Sequence, residues 1–156
     1  MRSGGRGVLA LLFGLFLVAS ARAQEIEDPQ FGLGLGYSSR FETAVYTAEF
    51  VMPVYHHVDV DGSLQFLDLG SRRRYVGNID VQVRFPTHRI HVRTFGWVGL
   101  GFGLITDDPK GPSEATTRDG QVNVLAGLGY DAPASPYVQL RITRKHEVIL
   151  GIGVRF

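Results

Sequence analysis

Cysteine is absent from the 156 residues, which excludes disulfides and thiolate metal sites. Lysine is almost absent: Lys110 and Lys145 are the only two, each in an expected loop. A soluble domain covers itself with lysine and glutamate, so this scarcity argues against a freely solvated surface. No apolar run reaches the roughly 18 residues that a membrane-spanning helix needs. Past the first residues, no stretch keeps a 3.6-residue apolar period for long, and 20 glycines are too many for a helical chain.

The first residues read as a secretory leader. Arg2 and Arg6 form a basic start, Val8 to Val18 an apolar core, and Ala21-Arg22-Ala23 an A-x-A cleavage site before Gln24. The expectation is a cleaved signal peptide over 1–23, export, and one domain over 24–156. No cysteine stands at the junction to carry a lipid. The leader takes three arginines and no acids, leaving 13 basic and 15 acidic residues, so the formal charge moves from +1 to −2. That removes any compositional argument for nucleic-acid binding.

What the rest of the chain has is a period of two, repeated eight times. Apolar residues of one parity run over Phe31–Tyr37, Ala44–Met52, Val58–Phe66, Tyr75–Phe85, Val98–Leu104 (preceded by Ile90 and Val92), Val122–Tyr130, Val138–Ile142 and Val148–Phe156. Alternating residues of a strand point to opposite faces, so each segment has one apolar face. Eight strands in a meander suit closure into an antiparallel barrel. Inner turns are expected near His56-His57, Pro86–His88 and Asp131–Pro136. Outer loops are expected near Ser38–Arg40, Leu69–Arg74, Asp107–Gly120 and Arg144–His146, the third being the longest.

The second face tells which side is inside. It is rich in glycine (Gly32, Gly34, Gly36, Gly99, Gly101, Gly103, Gly127, Gly129, Gly151, Gly153), as a crowded interior requires. Its charges come in both signs: Glu49, Asp59, Asp61, Asp80 and Glu147 against Arg84, Arg89, Arg93, Arg141 and Arg155. Buried charges need partners, so these ten are expected to form a network that occludes the lumen. The apolar face then meets lipid, making this an all-β transmembrane barrel. A soluble, lipocalin-like barrel with its apolar face turned inward onto a ligand is the alternative. Phe31, Tyr55, Phe85, Tyr130, Tyr137 and Phe156 at one end, with Tyr37, Phe41, Phe66, Tyr75 and Phe102 at the other, are expected to form two aromatic girdles. Trp97 and Phe95 fall on the inward parity. Either they plug the lumen, or a bulge at Gly96 turns Trp97 to lipid.

The leader, the eight alternating segments and the terminal strand Glu147–Phe156 resemble the small outer-membrane β-barrels of OmpA/OmpX type. The resemblance implies a monomeric barrel in the outer membrane of a Gram-negative bacterium, surrounded by lipid and lipopolysaccharide. It also implies recognition of Phe156 by the barrel-assembly machinery. Members of this family have structural, adhesive or defensive roles, and a few modify lipids.

Chemistry is thin by comparison. Lipid A deacylases of this fold carry histidine and serine two residues apart, and no histidine here has a serine at that spacing. A palmitoyltransferase-like group would have to be assembled from His146, Ser38 or Ser39, and Asp107 or Asp108. The plainer reading of these is solvated loop residues. His56, His57, Asp59 and Asp61 do not form a metal cluster, because His56 opposes the other three across a strand. Gly99-x-Gly101-x-Gly103 has no helix after it and is no phosphate loop. No metal or cofactor is expected. Arg72, Arg73 and Arg74 form a basic run with the chemistry to contact lipopolysaccharide phosphates at the outer rim. The reading that follows is a non-enzymatic structural or surface-interaction barrel, with lipid A acyl chemistry as its alternative.

Overall fold

A computed structural model describes residues 28–87, 93–111, 115–144 and 146–156. The expected leader and Arg89 lie outside the described residues. Eight strands form: β1 (Gln30–Ser38), β2 (Thr43–Tyr55), β3 (Val58–Asp68), β4 (Arg72–Pro86), β5 (Thr94–Pro109), β6 (Thr117–Tyr130), β7 (Ser135–Thr143) and β8 (Val148–Arg155). Each pairs antiparallel with the next, and β8 pairs with β1, which closes the barrel. Closure leaves no edge to expose unpaired backbone groups to lipid. Past the last ladder pair, Phe31 N–H donates to Phe156 O at 3.1 Å and Phe156 N–H to Phe31 O at 2.8 Å.

The strands are tilted. From Leu35 the ladder leads one way through Tyr46, Phe66, Tyr75 and Thr106 to Arg118 on β6. The other way it leads through Ile152 and Val138 to Leu128, so the stagger around the barrel is ten residues. A stagger of this size in eight strands gives a narrow tube that side chains can fill.

The apolar face is outside. Leu64 is 70% exposed, Leu100 64% and Ile152 63%, while Asp61, Asp80, Gln82 and Asn123 are fully buried. That orientation removes the soluble lipocalin-like alternative. The apolar surface is a lipid belt, about 25 Å tall in barrels of this kind. Phe31, Phe85 and Phe156 sit at its lower edge and Tyr37 and Tyr75 at its upper edge, all exposed. Two residues leave the expected girdles. Tyr137 is buried in the lumen, and Phe41 packs against an internal apolar cluster.

Two of the outer loops are shorter than the sequence pattern suggests. β4 already begins at Arg72, β5 continues to Pro109, and β6 resumes at Thr117. Half of the expected loop over Asp107–Gly120 is therefore strand, Asp107–Pro109 ending β5 and Thr117–Gly120 opening β6. Its residues are polar on both faces, so they leave no apolar period to read. The one register shift noted in the β2–β3 pairing lies between Pro53 and Tyr55. No bulge interrupts β5: Arg84, Trp97 and Gly127 lie on one continuous ladder line.

Candidate functional site

The lumen gathers most of the chemistry. At its outer mouth Arg74 grips Asp107, with both nitrogen–oxygen distances at 2.6 Å. The Arg74 guanidinium also lies 4.3 Å from the centre of the Phe41 ring. Beneath this cap Val45, Leu67, Val76, Ile105 and Ile149 meet across the tube, with Phe41 and Leu69 against them. Each belongs to the polar parity of its strand, so the pattern of single strands gives no hint of the plug. Beside it the Ser38 hydroxyl donates to Glu147 Oε1 at 2.6 Å.

The middle layer is ionic. Arg141 Nη2 reaches from β7 to Asp80 Oδ2 on β4 at 2.8 Å, a contact that bridges the lumen between two side chains at most 1% exposed. Asn123 donates to the other Asp80 oxygen at 2.6 Å. Gln82 donates to Asp61 at 2.7 Å. Glycine makes these reaches possible. Asp80 and Asn123 flank Gly101 on the ladder, and a Cβ on Gly101 would run into the Asp80 carboxylate. A cavity here, lined by Thr47, Gln65, Gln139 and Arg141, measures only about 20 Å³. A volume of that size holds a single water molecule.

The lower layer mixes charge with rings. Arg155 Nε binds Glu49 Oε1 at 2.6 Å, and its guanidinium stacks 4.5 Å from Trp97 and 4.8 Å from Tyr137. Desolvated cation–π contacts of this kind add to the ion pair. Trp97 is therefore a lumen residue, which settles the alternative left open above. Arg84 binds Asp59 at 2.9 Å and lies 5.4 Å from Phe95. Below them a vestibule of about 570 Å³ opens at the inner mouth, lined in part by His57, Arg93, Asp131 and Phe156.

The ten charged residues expected inside thus divide. Glu49, Asp59, Asp61, Asp80, Arg84, Arg141, Glu147 and Arg155 line the lumen. Arg93 sits at the inner mouth instead, exposed on the inner turn, where its carbonyl accepts the Asp131 N–H at 2.8 Å, and Arg89 lies outside the described residues. Asp61 and Glu147 take neutral donors, Gln82 and Ser38, where arginines were expected. Phe156 is exposed at the seam.

Among the described residues of the outer rim, the serines and acids singled out in the sequence already have hydrogen-bond partners. Ser38 is committed to Glu147, and Ser39 Oγ accepts the Val148 N–H at 3.1 Å. Asp107 is held by Arg74, and Asp108 accepts from Thr116 at 3.4 Å. His146 is exposed on a turn with φ of 58°. The arginine run is split. Arg74 turns into the lumen mouth, Arg73 is exposed opposite Asp108 on the ladder, and Arg72 is exposed opposite Pro109. Lys110 clasps Asp68 across the rim at 2.7 and 3.0 Å. That bond, with the Gly70 N–H, holds the Asp68 carboxyl below the usual carboxylate value.

No family model matches the chain, and no curated protein matches it. Solved structures do. The N-terminal β-barrel domain of Pseudomonas aeruginosa OprF is 16% identical, with a TM-score of 0.65, over 82% of this chain and 96% of that one. Neisserial surface protein A is 14% identical, with a TM-score of 0.62, over 81% and 92%. A designed transmembrane β-barrel is 13% identical, with a TM-score of 0.59, over 85% and 98%. Identities this low speak for the fold alone. It is the fold of the small eight-stranded outer-membrane barrels, and the apolar exterior suits a barrel set in lipid.

Proposed function

We propose that the chain is a non-enzymatic structural or surface-interaction barrel of the outer membrane, with an occluded lumen. The observation that carries this reading is the Arg141–Asp80 bridge beneath the Val45–Leu67–Val76–Ile105–Ile149 plug. An ion entering from outside would have to part the Arg74–Asp107 pair, cross an apolar layer and then displace a buried ion pair. Interaction would lie on the outer β4–β5–β6 hairpins, since exposed segments on a rigid scaffold carry recognition.

Planar-bilayer recording of the purified barrel tests occlusion. The expected result is no large steady conductance, and a stable open level would overturn the reading. The enzymatic alternative has its own test. Lipid A from cells with and without the gene is expected to carry the same acyl chains. An acyl change that disappears in His146→Ala would replace the proposed function with a catalytic one. The bonds already made by Ser38, Ser39 and Asp107 support the non-catalytic reading.

A further inference from the structure

The basic run Arg72–Arg74 is the obvious place to look for an anion, and the fold disperses it. A different pair comes together on the lipid side. Arg118 is exposed on β6 and shares the outward parity of Val122 and Val124. Arg144 is exposed just past β7 and continues the outward parity of Leu140 and Ile142. Its backbone N–H donates to Val122 O at 3.0 Å, which pins it beside β6. Between the two arginines, at the outward position of β6, stands Gly120. The Phe102 ring lies over it, so closely that a Cβ there would sit 2.8 Å from Phe102 Cζ. The result is a surface patch with one exposed arginine at Arg118, another at Arg144, and the Phe102 ring filling the space over Gly120 between them. Beside the patch Phe102, Leu104 and Val122 are exposed and continue into the apolar belt.

Among the described residues, the acids nearby are already engaged. Asp119 Oδ1 accepts the Gly120 N–H at 2.7 Å, Asp108 accepts from Thr116, Asp68 is clasped by Lys110, and Asp107 is held by Arg74. Among the described residues, neither Arg118 nor Arg144 has an ion-pair partner. We infer that Arg118 and Arg144 form a phosphate-binding pair for lipid A, the phosphorylated glycolipid of lipopolysaccharide. This rests on the outer-membrane reading above and names the lipid partner of that barrel. Along a strand, Arg118 and Val122 are about 13 Å apart, and Arg144 stands beside Val122. Two long side chains can therefore close on one phosphate from opposite sides. Guanidinium groups match phosphate with paired hydrogen bonds. The acyl chain of the same lipid would run down over Phe102 and Val122, which a free phosphate cannot do.

The test uses the whole folded barrel in detergent micelles and native mass spectrometry. The probes are bis-phosphorylated lipid A, the same lipid stripped of both phosphates, and phosphatidylglycerol. Lipid A is expected to bind about thirtyfold tighter than the stripped lipid, on the scale of one favourable contact for each of the two basic residues near anionic headgroups. Arg118→Ala with Arg144→Ala should bring lipid A down to the stripped lipid's level, and Arg72→Ala should leave it unchanged. Equal binding of the two lipid A forms by the wild type would overturn the site, and so would undiminished binding by the double variant. Phosphatidylglycerol binding as tightly as lipid A would overturn the choice of lipid. Conductance measured on the same preparation separates the two readings: an occluded barrel that ignores lipid A phosphates loses only this inference, and a conducting barrel that binds them loses only occlusion.

Discussion

Glu49 on β2 and Arg155 on β8 bind each other across the backbone of Gly32 on β1. A Cβ at Gly32 would lie 2.6 Å from Glu49 Oε1, so the smallest residue is what lets two strands that are not neighbours share an ion pair. Both side chains are at most 2% exposed. The pair therefore ties the last strand to the second, straddling the seam that closes the barrel.

Arg155→Ala is expected to destabilise the folded barrel by about 3–5 kcal/mol, because it leaves Glu49 buried without its cation. Urea titration in detergent, read by heat-modifiable migration on a gel, measures this. Glu49→Gln together with Arg155→Gln should recover part of the loss, since two neutral amides can bond to each other. An Arg155→Ala midpoint equal to that of the wild type would show that the pair does not hold the seam.

Two glycines on opposite faces make a controlled comparison. At Gly101 an added methyl would run into the Asp80 carboxylate and press on the Asn123 and Arg141 contacts. Gly101→Ala is expected to cost about 1–3 kcal/mol through overpacking. At Gly77, on the lipid face, the nearest atom to an added Cβ is Leu64 Cδ2 at 3.6 Å, an ordinary contact. Gly77→Ala is expected to be neutral, or to stabilise by up to about 1 kcal/mol through reduced freedom of the unfolded chain. The reverse order of the two midpoints would mean that the lumen can relax around Asp80.

The alternating segments made the strands, their order and the outward face readable, because lipid on one side and a narrow lumen on the other impose period two on each strand. The glycines of β1 and β8 and the paired signs of Glu49 and Arg155 pointed to a packed interior for the same reason. The plug was not readable. Val45, Leu67, Val76, Ile105 and Ile149 look like isolated exceptions in five different strands, and only the ladder stagger brings them to one level. The Arg74–Asp107 cap was hidden in the same way, since both residues lay in segments expected to be loops. The alternation of β5, continued through the inner turn, points Arg93 inward, but β5 starts only at Thr94 and Arg93 lies on the turn.

Asp68 and Lys110 join two outer hairpins in solvent, and their bond is expected to depend on pH. The Asp68 carboxyl is held below its usual value, first by the Lys110 hydrogen bond and then by the Gly70 N–H. A depressed acid contributes above its unfolded value and loses that contribution as pH falls through the folded one. The clasp should therefore be intact at neutral pH and release only in strong acid. A carboxyl titration by NMR should find the Asp68 midpoint below that of an unperturbed aspartate, and Lys110→Ala should raise it toward that value. A midpoint unmoved by Lys110→Ala would show that the clasp is not populated in solution.

Trp97 is the only tryptophan of the chain, so it reports on its own side of the wall without labelling. It is 1% exposed, stacked under Arg155 and edge-on to Tyr137 at 6.0 Å between ring centres. Its neighbour Val98 points to lipid and is 50% exposed. In vesicles whose acyl chains carry bromine, wild-type emission should be quenched weakly, because the barrel wall stands between the indole and the lipid. Acrylamide in the water should also quench it weakly, since the plug and the Arg84–Asp59 pair close both approaches. Moving the indole by one residue, with Trp97→Phe and Val98→Trp, should make bromine quenching strong while acrylamide quenching stays weak. The one-residue step matters because a strand turns its side chain to the opposite face each time. Strong bromine quenching of the wild type would put Trp97 in lipid and shift the register of β5. Strong acrylamide quenching would instead mean that water reaches the lower lumen, and the occluded barrel would have to be given up.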